Sequence, residues 1–358
     1  MSSDINPYCT EPAIPVLAHT LLQLPEQPPG TSDAEGDSGS GYNKPEPNSL
    51  DAWNLKPSIE NGLQHYPNDI FRPGTVLGFS RLRGRSPDGN DDEFIGETPR
   101  YLLTKWLCKV SSAPHPRNKA FIIHPANFDA FSPKKLLASL LSLAREPALS
   151  RNEAISCLDS VQLFPVFDLA AAAQAITEVS GTLHSLWEHP EDQWNHAHPE
   201  PEPARKGHAT VLIITGLDTL AESVIRASNA VRGAAVLTSI IRTITQLSRT
   251  HRSNLSVMLV NTSGVGPMAP GGFSGAQDSQ FRREDENQQF RFTREDGINS
   301  IFRVADASLF PSLLMRTVEQ GIDTHFLLSY TRSIPVVEVI KDRLGNNVGK
   351  WCAWDRKK

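Results

Sequence analysis

The sequence predicts an α/β fold: a mainly parallel sheet flanked by helices and finished by a C-terminal antiparallel meander. Three observations predict it. Val211-Leu212-Ile213-Ile214 is a run of four aliphatic residues ending in the turn Thr215-Gly216 and passing at once into a long helical pattern. Such a run reads as a strand buried on both faces, as in the centre of a parallel sheet. The same strand-then-helix alternation recurs upstream, the signature of βα units. Downstream, three short strand patterns, 324–330, 336–340 and 350–354, follow one another with only turn residues between them.

Taken in order, residues 1–70 are expected to be largely disordered. Their stretch from Gln23 to Gly41 is rich in Pro, Gly, Ser and acids, a linker chemistry that buries too little apolar surface to offset its ordering entropy. Order is expected from 71, with a first strand over 73–80 and a loop over 81–97. A helix should begin with Thr98 as N-cap and Pro99 at its first position, presenting Leu102, Leu103, Trp106, Leu107 and Val110 on one face. Ala120 to Ile123 is the next strand. Ser132-Pro133 opens a helix whose Leu136, Leu137, Leu140, Leu141 and Leu143 turn inward before Pro147 stops it.

Val161 to Phe167 is a third strand, and Asp168 caps the Ala-rich helix that follows to about Trp187. The strand at 210–215 precedes a helix running to about Arg252, with Leu237, Ile240, Ile241, Ile244 and Leu247 as its inner stripe. Leu255 to Val260 is the fifth strand, 263–307 reads as a mobile loop, and the meander ends the chain. Leu344-Gly345-Asn346-Asn347 is a hairpin turn.

Composition narrows the function. With 358 residues, 39% of them hydrophobic, the chain can bury a full core. A formal net charge of −5 argues against a broadly basic nucleic-acid binder, so any DNA contact must be local. The four cysteines are scattered without a CxxC pair, which fits a reducing compartment. No apolar run reaches about 18 residues, so no membrane partner is expected. His184, His189, His196, His198 and His208 crowd one region, but in no zinc-ligand spacing, and no metal site is assigned there. No catalytic residue is assigned either.

This order of elements resembles the RecA-like recombinases, in particular a divergent eukaryotic, fungal-type recombinase paralogue, over about 70–355. Phe131-Ser132-Pro133-Lys134-Lys135-Leu136 is similar to the family's segment after its second strand. Val166-Phe167-Asp168 is similar to the end of its third, and 210–220 to its metal-binding strand. The resemblance implies a RecA-like P-loop-type core, a nuclear location, and partners among other RecA-like recombinase or paralogue subunits. It implies a nucleotide site at Gly96, Thr98, Thr215 and Asp218, but in degenerate form. Thr215 stands where the family has a magnesium-binding acid, Glu97 where it has the phosphate-loop lysine, and Phe128 where it has the catalytic glutamate. No cofactor is therefore expected; ATP with magnesium is the alternative, held by an unusual phosphate loop built from 78–98.

The family's DNA loop falls on Phe281, Arg282, Arg283, Phe290, Arg291, Phe292 and Arg294. Aromatics interleaved with arginines suit single-stranded DNA. The acids Asp278, Glu284, Asp285, Glu286, Glu295 and Asp296 oppose that footprint, so a solvated loop is the competing reading. The expectation is a non-catalytic accessory subunit in homologous-recombination DNA repair. The alternatives are an active ATP-dependent repair enzyme and an Elongator-like ring subunit.

Overall fold

The computed structural model describes residues 53–63, 69–83, 90–111, 118–143, 148–188, 209–266, 298–302 and 308–354. All of them belong to one unit, Pro47–Lys358. The linker from Gln23 to Gly41, residues 84–89 of the alternative phosphate loop, His189, His196, His198 and His208, and Phe281, Arg282, Arg283, Phe290, Arg291, Phe292 and Arg294 lie outside the described residues.

In chain order the elements are α1 (Lys56–Asn61), β1 (Val76–Leu82), α2 (Asp91–Ser111), β2 (Lys119–Pro125), α3 (Pro133–Leu141) and α4 (Arg151–Leu158). Then come β3 (Val161–Val166), α5 (Leu169–Glu188), β4 (Thr210–Thr215), α6 (Leu217–Ala227), α7 (Ala230–Thr250) and β5 (Leu255–Val265). The chain closes with α8 (Leu313–Gln320), β6 (Thr324–Thr331), β7 (Ile334–Asp342) and β8 (Trp351–Ala353). Among the described residues, one sheet holds eight strands in the order β3-β2-β4-β5-β1-β6-β7-β8. Every pairing from β3 through β6 is parallel, and β7 and β8 add antiparallel to β6. The fold is thus α/β with a mostly parallel sheet and terminal antiparallel strands, consistent with a RecA-like core.

Strand alternation sorts the core into layers. Leu77 and Phe79 of β1, Ile122 of β2, Ile213 of β4 and Phe326 of β6 pack under α2, α3 and α4. Their neighbours in sequence, Val76, Phe121, Ile123, Leu212 and Ile214, face α5, α6, α7 and α8. All six residues of β4 are buried, as the run of aliphatics requires of a central strand. The expected stripe of α7, from Leu237 to Leu247, is buried as well.

Several boundaries differ from expectation. The helix placed at Thr98-Pro99 begins at Asp91, so Pro99 lies inside it. Asn90 accepts the Glu93 N–H at 3.1 Å, and the first turn is Asp91, Asp92, Glu93. An Asn cap followed by acids at the positive end of the helix dipole makes a sound start. The proline forfeits an interior hydrogen bond, but tertiary contacts described below hold the helix through it.

The α3 helix stops at Leu141, which is 43% exposed rather than inward. The helix after β4 breaks at Ser228, and Asn229 caps a new one by accepting the Arg232 N–H at 2.8 Å. The α4 helix was not foreseen, although its capping box, Ser150 with Glu153, is legible in sequence. The core also starts before 71. Leu55, Ile59 and Leu63 are buried in it, and the Leu55 N–H donates to Trp351 O at 3.0 Å, covering part of the β8 edge.

Candidate functional site: a crevice closed by its own side chains

In a doubly wound sheet, ligands bind beyond the carboxyl ends of the strands where successive helices leave over opposite faces. Here α2 leaves β1 over one face and α6 leaves β4 over the other, with β5 between the two strands. The crevice is therefore framed by the ends of β1, β4 and β5.

At the end of β4, Thr215 is fully buried and its hydroxyl has no hydrogen-bond partner among the described residues. Gly216 follows with φ 68°, and the Pro125 ring lies 2.5 Å from where a Cβ would sit, so the turn admits only glycine. That turn aims Asp218 at the end of β5. Asp218 is buried and accepts four donors: Thr262 N–H at 3.2 Å, Thr262 Oγ1 at 3.3 Å, Ser263 N–H at 2.7 Å and Ser263 Oγ at 2.5 Å. A carboxylate offers about four lone-pair sites, so this one has none left for a cation.

From the β1 side, Arg83 donates through Nε to Ser263 O at 3.2 Å and through Nη1 to Gly266 O at 3.5 Å. Among the described residues, a cavity of about 10 Å³ lies nearby between Asp218, Asn261, Ser263, Phe310 and Met315, room for a single water.

Gly96 and Thr98 do not join this crevice. Both lie inside α2. Thr98 is buried, and Gly96 packs directly on Ala130, whose Cβ is 2.4 Å from where a Gly96 Cβ would stand. Glu97 is likewise in the helix rather than at its mouth, so it does not stand in the lysine's place. The mouth is held by Asp91, Asp92 and Glu93 instead. Asp91 pairs with Arg81 at 2.6 Å; Glu93 pairs with Arg100 and, at 2.9 Å, with Lys135, which also meets Asp129 at 2.9 Å. The buried Arg100 further donates to Ser139 Oγ at 2.9 Å and to Ala130 O at 2.7 Å.

Burial pushes Glu93 up, but hydrogen bonds from Arg100 and Lys135 outweigh it and hold the carboxyl below its ordinary range. Burial pushes Asp92 above its own.

A triphosphate seeks free N–H groups and cations at a helix mouth. Among the described residues, which leave out 84–89 between β1 and α2, carboxylates occupy the mouth and pair with Arg81, Arg100 and Lys135, while Arg83 donates to backbone carbonyls. This described set does not fit a magnesium triphosphate. Phe128, where the family's catalytic glutamate would stand, is buried beside Phe131.

Sequence reading missed a second polar cluster below the crevice. Ser80 Oγ accepts from Asn261 Nδ2 at 2.8 Å and lies 2.8 Å from His325 Nε2. Burial lowers His325 to about 3, so it is neutral across the physiological range. The only signals in sequence were a polar residue at one end of each of three apolar runs, after the run for Ser80 and Asn261 and before it for His325.

Replacing Gly96 by alanine separates a packing glycine from a phosphate-loop glycine. In a helix interior the change ordinarily gains up to about 1 kcal/mol. Overpacking against a backbone-borne methyl costs about 1–3 kcal/mol. The expected net is a loss of about 1–2 kcal/mol in urea denaturation; a gain in stability would show that Gly96 has open space.

Among the described residues, no helix is long and apolar enough to cross a membrane. No protein-family model matches the chain, and no curated protein matches it in sequence. Among solved structures it is similar to the crystal structure of the RadB recombinase, at 11% identity and a TM-score of 0.42, over 78% of this chain and 86% of that one.

Proposed function

We propose that this chain is a non-catalytic RecA-like accessory subunit in homologous-recombination DNA repair, a nuclear protein that acts by docking on other RecA-like subunits. One observation carries the non-catalytic part: Asp218 spends its lone pairs, and Arg83 two of its five N–H donors, on the end of β5, in the crevice where a nucleotide would have to enter. The acidic first turn of α2 supports it, because like charges at about 4 Å cost about 1 kcal/mol each in water and more where shielded. The recombination part rests on the order of elements and on the segments 131–136, 166–168 and 210–220 that resemble the recombinase family. Single-stranded DNA is a second partner in this reading, met by the arginines and aromatics of 281–294.

Equilibrium binding of labelled ATP at millimolar magnesium tests the proposal. The expected result is no saturable binding and no hydrolysis. Saturable micromolar binding, competed by unlabelled ATP, would overturn it in favour of an ATP-dependent enzyme. Co-expression with RecA-like subunits supplies the other arm: a stable hetero-oligomer by size exclusion with light scattering is expected, and a monomer that captures none of them would overturn the docking role.

A further inference from the structure

Three hydroxyl residues of the chain stand directly before a proline: Ser86, Thr98 and Ser132. A protein kinase whose groove offers no acceptor to the residue after the serine takes proline there, since proline has no N–H to leave unpaired. Kinases of this kind also read charge, with acids set to meet a cation three residues after the acceptor. That place holds Gly89 for Ser86, Tyr101 for Thr98 and Lys135 for Ser132. Thr98 is buried inside α2 as well. Ser132-Pro133-Lys134-Lys135 therefore combines both features, and the other two pairs do not.

The fold presents this motif at its surface. Ser132 is the N-cap of α3, with φ −59° and ψ 148°, an open backbone close to polyproline II. Ser132 is half-buried, and Pro133 and Lys134 are exposed. An N-cap serine ordinarily spends its hydroxyl on the first turn of its helix; this one makes no such bond. Its hydroxyl goes to Asp129 instead, whose carboxyl is held below the usual range by hydrogen bonds from Lys135 and then Ser132. The buried Phe131 and Leu136 anchor the backbone on either side. The Ser132 N–H donates to Asp129 O at 3.0 Å, and the Leu136 N–H to Ser132 O at 2.9 Å.

We propose that Ser132 is a phosphorylation site for a proline-directed protein kinase, and that its phosphoryl group seats on the N-terminus of α3, held by Lys134 and Lys135. The γ-phosphoryl of ATP bound to the kinase passes to Ser132 Oγ. The bond from that phosphorus to the ADP oxygen breaks, the Oγ–P bond forms, and the serine proton leaves to the kinase's base. The product carries about two negative charges and three strong acceptor oxygens. The first-turn N–H groups of a helix have no partner in its own ladder. Pro133 supplies none and Leu136 is spent on Ser132 O, which leaves those of Lys134 and Lys135 to the phosphoryl oxygens. Lys135 bridges Glu93 and Asp129 at 2.9 Å each, within the same turn of chain, and adds its ammonium group. Asp129 opposes the new charge, but its side chain is 67% exposed, so water and salt screen it. The site goes beyond the non-catalytic reading and does not depend on it.

Incubating the full chain with a cyclin-dependent kinase and ATP, then mapping phosphopeptides by mass spectrometry, tests the acceptor. Phosphate is expected on Ser132, not on Thr98, and nowhere when the kinase is left out. Ser132→Ala should abolish it. Pro133→Ala, which touches no ion pair, should slow it by about tenfold or more. A peptide of residues 127–138 reports on the motif alone. If the peptide is modified and the full chain is not, the fold withholds the serine and the proposal fails; if neither is modified, the motif itself is misread. Amide hydrogen exchange tests the seat. In the phosphorylated chain Lys134 and Lys135 should exchange about fivefold more slowly or better, as charge-assisted capping requires, with β2 and β4 amides unchanged. Unaltered exchange at 134 and 135 would overturn the seating on α3.

Discussion

Phe326→Ala is expected to remove about 4–5 kcal/mol of stability, the upper part of the range for a buried Phe→Ala change. Phe326 has no exposed surface and is the middle ring of a three-ring stack, 5.2 Å from Phe71 and 5.0 Å from Phe79, nearly parallel to both. Deleting it abolishes two ring pairs, each worth about 0.5–1.5 kcal/mol beyond burial, and leaves a cavity between two rings that cannot both collapse into it. Phe71 precedes β1, Phe79 lies in β1 and Phe326 in β6, so the stack fastens the parallel half of the sheet to the meander. Phe167, 84% exposed beyond β3, is the control: its replacement by alanine should change stability by less than about 0.5 kcal/mol. Urea midpoints of the two variants decide the matter. A loss below about 1.5 kcal/mol for Phe326→Ala would mean that the stack is not the fastening described.

That stack also involves the aromatics of the meander. Alternation suggests that about half of Phe326, Tyr330, Trp351 and Trp354 face away from the interior and offer apolar surface to a partner. Phe326 and Trp354 are buried, Tyr330 is half-buried and stacks on Phe94 at 4.4 Å, and Trp351 is 40% exposed. The sheet continues past the strands that cover one another, and α2 reaches over the end of the meander. Rings that a two-stranded ribbon would expose are therefore covered from the helix side.

Elements whose cause is local were legible. The β4 strand is read from four aliphatics, the α7 stripe from its spacing, and the Asp168 cap from its place: it accepts the Ala171 N–H at 2.7 Å. The start of α2 was not, because Thr98-Pro99 imitates a helix opening more closely than Asn90-Asp91-Asp92 does. What decides against it is Arg100, whose partners Ala130 and Ser139 lie 30 and 39 residues away. The same holds for the site. Asp218 was visible as an acid near a central strand, yet its meaning depends on Thr262 and Ser263, 44 and 45 residues on. A carboxylate that holds a cation and one that holds a backbone look alike until the partner is placed.

At the opposite end of the strands, Asp323→Ala is expected to cost about 2–4 kcal/mol, from one buried donor left unpaired and one charged pair broken. Asp323 is 3% exposed and accepts the Val76 N–H at 2.9 Å and Arg249 Nη2 at 2.7 Å, while its own N–H donates to Val76 O at 2.8 Å. Arg249 also donates to Gly74 O, so one carboxylate ties the end of α7 to the starts of β1 and β6. Val76 has no exposed surface, and its N–H would find no water in the variant. Arg249 is 44% exposed on its side chain and would be rehydrated, which keeps the cost below that of a fully buried pair. Asp323→Asn retains an acceptor for Val76 but turns an amide toward the guanidinium, and should fall between wild type and alanine. Urea denaturation of both variants decides the matter: a loss below about 1 kcal/mol for Asp323→Ala would show that the Val76 N–H finds another partner and that this carboxylate does not tie α7 to the sheet.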